Sequence, residues 1–67
     1  MSITPLPLEI YRHQKTGRLY RIVCIASVEA TLELVVVYQS EQDGRCWTRP
    51  LNEFIDRRFE IVEEARP

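Results

Sequence analysis

Leu32-Glu33-Leu34-Val35-Val36-Val37-Tyr38-Gln39, then Glu41-Gln42-Asp43-Gly44, then Cys46-Trp47-Thr48-Arg49-Pro50 is the stretch that decides the fold class. Three consecutive valines lose side-chain freedom in a helix but suit a pleated surface, so residues 32–39 read as a strand. Asp43-Gly44 can take the positive φ angles that a tight turn needs, which makes residues 41–44 a hairpin connection. Residues 46–49 return as the next strand. Pro50 has no N–H for the ladder and ends it.

The chain on either side continues the pattern. Residues 19–27 are rich in Ile and Val and form a long strand, which Val28-Glu29-Ala30 turns into the valine strand. Residues 9–13 form a strand before the turn Lys15-Thr16-Gly17, where glycine supplies a positive φ at little cost. Pro50-Leu51-Asn52-Glu53-Phe54-Ile55 suits one helical or 3₁₀ turn with proline at its first position. Residues 58–62 close as a fifth strand. Thr4-Pro5-Leu6-Pro7 can be neither helix nor inner strand, so residues 1–8 are a lead-in and residues 63–67 a polar tail. The expected architecture is all-β: one domain over residues 1–67, either a five-stranded bent antiparallel sheet or an SH3-like small barrel, with one short helical turn.

Pairing His13 with Arg18 across the first turn sets Tyr11 opposite Tyr20. Pairing Ala26 with Leu32 across the second sets Tyr20 opposite Tyr38 and Ile22 opposite Val36. One face then carries Tyr11, His13, Tyr20 and Tyr38, and Trp47 and Arg49, which share a strand face, join it if the third hairpin's register allows. The other face presents Val23, Ile25, Val35 and Val37. A half-solvated sheet would be polar on one side, so this second face needs a cover. Ile3, Leu6 and Leu8 of the lead-in, with Leu51, Phe54 and Ile55, are available as a lid, which favours a monomer. If they lie elsewhere, a second copy of the chain is the alternative.

A chain of 67 residues has a small core, about 3–5 kcal/mol at most, so its few features matter. Cys24 and Cys46 make no disulfide framework, and neither a leader peptide nor an apolar run of membrane-spanning length is present, so a reduced, cytoplasmic protein is expected. The net charge of −1 argues against strong nonspecific binding to nucleic acid. The charge is uneven, however. Arg12, Lys15, Arg18 and Arg21 face only Glu9 in residues 1–22, whereas residues 23–44 carry Glu29, Glu33, Glu41 and Asp43 with no base.

Catalytic chemistry finds little support. His13 is the only histidine, and no spacing joins it to a nucleophile. No Cys-x-x-Cys, histidine pair or glycine-rich phosphate loop exists, so neither metal nor cofactor is expected. The aromatic and arginine set is more informative. Tryptophan and arginine dominate recognition hot spots, and arginine stacks on aromatic rings. The same aromatics also fill cores, and Arg49 has a structural role open to it in holding Glu53 or turn carbonyls.

Tyr11-Arg12-His13, Gly17, Tyr20, Ala26, Thr31-Leu32-Glu33, Val36-Val37-Tyr38, Trp47-Thr48-Arg49-Pro50 and Phe54 resemble the bacterial family called domain of unknown function 1653, over about residues 9–62. The most specific parts are Tyr-x-His and Trp-x-Arg-Pro with a phenylalanine four residues past the proline. The resemblance implies a compact β domain of bacterial type with no established activity. Two departures stand out. The family's second turn usually reads like His-Ser-Glu-Thr, where this chain has Val28-Glu29-Ala30-Thr31, and Thr16 separates Lys15 from Gly17, which are commonly adjacent.

The functional expectation is a small non-catalytic binding module. It would recognise a protein or peptide through Tyr11, His13, Tyr20, Tyr38, Trp47 and Arg49. The alternative is a single-stranded nucleic acid or nucleotide stacked on the same aromatics, which requires Arg12, Lys15, Arg18 or Arg21 to flank them.

Overall fold

What fills the inner side of the sheet follows from its turns and from two shifts of register, at Ile10/Tyr11 and at Ile22/Cys24. The computed structural model describes residues 4–64, and its strands are β1 (Ile10–His13), β2 (Leu19–Ser27), β3 (Leu34–Ser40), β4 (Cys46–Pro50) and β5 (Phe59–Glu63), with a helical turn α1 (Leu51–Phe54). All neighbours are antiparallel in the order β4-β3-β2-β1-β5, so β4 and β5 are the two edges of one open sheet.

The first hairpin closes in the expected register. His13 N–H donates to the Arg18 carbonyl at 2.9 Å, and Tyr11 lies opposite Tyr20. The second does not. Ala26 pairs with Val35 instead of Leu32, Ile22 with Tyr38 instead of Val36, and Tyr20 with Ser40 instead of Tyr38. The cause is a longer turn. Leu32 adopts a φ of 63° and closes its N–H on the Val28 carbonyl at 2.6 Å, while Val28 N–H bonds the Glu33 carbonyl at 2.8 Å. A bulge between Ile22 and Cys24 then absorbs one residue. Beyond it the faces exchange, so Ile25 lies opposite Val36 and packs against the core instead of joining the valine face.

The core lies on the tyrosine side and comprises Tyr11, Ile22, Val36, Tyr38, Phe54 and Phe59. Phe54 is its keystone. It stacks on Phe59 with ring centroids 4.1 Å apart and meets Tyr11 and Tyr38 edge-on at 5.2 and 5.3 Å. The helical turn that delivers it begins one residue later than the sequence suggests, because Pro50 is the extended cap (ψ 139°) and not the first helical residue.

The expected lid is therefore misplaced. Leu51 and Phe54 pack on the tyrosine face, and Ile55, Leu6 and Leu8 are exposed, while Ile3 lies outside the described residues. The lead-in is held by buried Glu9, whose carboxylate accepts from Leu6 N–H at 2.9 Å and from the Tyr11 hydroxyl at 3.5 Å. On the opposite face Val23 is exposed and Val35 and Val37 are half-buried, so the described residues do not supply the lid expected of a monomer.

Candidate functional site

The curl of the sheet brings the end of β4 over β5 and the turn after β1. His13 ends β1, Tyr38 lies in β3 opposite Trp47 in β4, and Arg49 sits two residues further along the same face of β4. A cleft of about 220 Å³ is lined by His13, Tyr20, Tyr38, Trp47, Arg49 and Phe59, with Thr16 at its rim. It adjoins a second cleft of about 340 Å³, where His13 and Arg49 meet Lys15 and Arg58. Shared walls make the two one groove, aromatic at one end and cationic at the other.

Five of the six residues singled out from the sequence thus converge. The sixth does not. Tyr11 is 5% exposed, packs on Phe54, and opens onto a separate apolar cleft with Ile55 and Ile61. Burial, reinforced by the Glu9 carboxylate, pushes its hydroxyl pKa up to about 12, so it stays a neutral donor. Tyr38 is also buried and presents its hydroxyl to Arg49 Nε at 3.5 Å, while Tyr20 is half-buried and meets Tyr38 edge-on at 5.2 Å. Trp47 is 44% exposed.

The cations differ in how firmly they are held. Arg49 lies over the Phe59 ring at 5.6 Å and reaches Glu53 at 3.7 Å, so its structural role is real but loosely made. Arg58 is bound by Asp56 at 3.0 Å and Glu53 at 3.5 Å. Lys15 makes no ion pair among the described residues. His13 Nδ1 sits 3.2 Å from Thr16 Oγ1, with its ring edge-on to Phe59 at 4.8 Å. Burial, then the charges of Arg49, Lys15 and Arg58, hold its pKa below the usual histidine value and keep it neutral at pH 7.

Three residues were missed. Arg45 precedes Trp47 by two, shares its face, and lies over the indole at 5.2 Å, so the ring is stacked by Arg45 and not by Arg49. That parity was legible in the sequence. Phe59 and Arg58 carried no local signal, because only the return of β5 onto β1 brings them to His13. Of the four basic residues near the chain start, Lys15 alone lines the groove. Arg12 and Arg21 are on the valine face, paired with Glu60 at 2.8 Å and Glu41 at 3.2 Å, and Arg18 opens on a neighbouring cleft. No cluster of three or more potential metal ligands exists among the described residues.

Fold and groove together define a small all-β domain with an open aromatic–cationic cleft beside an edge strand. Its residues 9–66 match the model of a family described as protein of unknown function (DUF1653), and the chain belongs to that family. No curated protein and no solved structure matches it.

Proposed function

We propose that the chain is a small non-catalytic binding module whose groove recognises a protein or peptide segment. The observation that carries this reading is the placement of Trp47. A core tryptophan would be covered, whereas this one stands half-exposed on an edge strand, between two arginines and beside a cleft. We read the architecture as SH3-like, with the helical turn between β4 and β5 and β5 returning to β1. A reducing, cytoplasmic setting suits the two thiols, since β3 separates Cys24 in β2 from Cys46 in β4. Among the described residues no helix is long and apolar enough to cross a membrane.

The nucleic-acid alternative has less support. Two of its four candidate cations face away from the aromatics, and the indole face is already taken by Arg45. Selection from a random peptide display library on the immobilised chain tests the proposal, followed by titration of Trp47 fluorescence with the synthetic winner. Specific peptides should emerge, and a folded Trp47→Ala variant should no longer bind them. Enrichment of no peptide, with Trp47 emission instead responding to a thymine oligonucleotide, would transfer the site to the alternative.

A further inference from the structure

We infer that the segment taken by this groove is acidic and extended, and that it pairs its main chain with the outer edge of β4. The inference rests on the binding-module reading above and adds the partner's chemistry and conformation.

Among the described residues β4 pairs with β3 on one side only, and Cys46, Trp47 and Thr48 are all exposed. The hydrogen bond from Ser40 N–H to the Arg45 carbonyl at 2.8 Å sets the phase of the ladder. Opposed residues alternate between bonded and non-bonded pairs, and the register runs without a break from Gln39↔Cys46 to Val35↔Pro50. Trp47 and Arg49 therefore turn their main-chain groups toward β3, while Cys46 and Thr48 turn theirs outward. Pro50 comes next in the outward series and has no N–H, so the free ladder is short and ends there. Main-chain pairing of this kind accepts an extended peptide.

Residues 45, 47 and 49 share one face and read cation, indole, cation along the edge. Arg45 makes no ion pair among the described residues, although Asp43 caps its N–H at 3.0 Å, and Lys15 across the groove is likewise unpaired. Of the carboxylates nearby, Glu53 and Asp56 are already engaged by Arg49 and Arg58, and Asp43 by the Arg45 N–H, which leaves Lys15, Arg45, Arg49 and Arg58 against three acids. The groove therefore carries surplus positive charge in a protein whose net charge is −1. An added strand would set alternate side chains beside Arg45 and Arg49, where carboxylates complete the pairing.

The test uses the full chain and a random twelve-residue peptide display library. Enriched sequences should carry an excess of Asp and Glu over the input. The synthetic winner should lose at least tenfold in affinity for the Lys15→Glu, Arg45→Glu double variant, whose positions are exposed and spare the core. N-methylation of alternate peptide residues should cost a similar factor, with the intervening positions tolerant. Neutral or basic winners, or indifference to charge reversal or to N-methylation, would overturn the inference while leaving the module reading intact if Trp47→Ala still abolishes binding. Failure to enrich any peptide above bare support would overturn both.

Discussion

Phe54 and Trp47 are the two large aromatics outside β1–β3 and β5, and the structure assigns them opposite energetic roles. Phe54→Ala empties a fully enclosed site, since the ring is 1% exposed and touches Tyr11, Tyr38 and Phe59. Truncation of a buried phenylalanine costs about 3–5 kcal/mol, because the transfer loss and the cavity add. A core in a domain of this size supplies no more than about 3–5 kcal/mol, so that variant should be largely or wholly unfolded at 25 °C. Trp47→Ala removes a side chain of about 200 Å² of which little more than half is covered. At ~25 cal/mol per Å² the loss is about 2–3 kcal/mol, reduced by the compactness of the unfolded chain to about 2, with no enclosed cavity left behind. Urea melts followed by far-ultraviolet circular dichroism compare the two without relying on the indole. Trp47→Ala should show a cooperative transition at reduced midpoint, and Phe54→Ala none or nearly none. If Trp47→Ala collapses the fold while Phe54→Ala keeps it, Trp47 is core and the groove is not a recognition surface.

Tyr11, with its pKa raised to about 12, should appear in a spectrophotometric titration as a tyrosine that ionises well after the ordinary value of 10. Because the folded state holds that proton more tightly than the unfolded state, its contribution is complete below about pH 10 and is lost as pH rises toward 12, and Tyr11→Phe should flatten that decline. His13 has the opposite sign: its lowered pKa means that the unfolded chain takes up a proton first, so stability falls as pH drops below about 6.5, and imidazole proton NMR should show Lys15→Gln moving the titration toward the ordinary value. Gly17 has a φ of 75° with open space where a Cβ would stand, so Gly17→Ala should cost only the left-handed backbone strain, about 1–2 kcal/mol by denaturant melt. A thiol assay on denatured, unreduced protein should count both Cys24 and Cys46, since two inter-strand spacings of about 4.8 Å put them beyond the ~7 Å that a disulfide can bridge.

Local chemistry alone accounts for much of the molecule. The valine run, the Asp43-Gly44 turn, the proline stop at residue 50 and the long second strand each follow from side-chain shape and backbone freedom, and the strands lie within two residues of where those signals put them. The shared face of Trp47 and Arg49 is likewise a matter of strand parity, and parity extended to Arg45 as well. Tertiary structure decided what parity cannot. The left-handed Leu32 lengthened the second turn and the bulge after Ile22 restored the parity but not the register of the pairing, so Tyr20 and Tyr38 kept their face while Ile25 changed sides. Both are non-local choices, made because together they bury Ile22, Val36 and Tyr38 against Phe54. The same holds for the site. Tyr11 and His13 are two residues apart on one strand face, yet Phe59 from the far end of the chain packs between their surroundings, leaving Tyr11 in the core and His13 in the groove. A sequence reports which side of a strand a residue faces, whereas what covers that side is set by segments that only folding brings there.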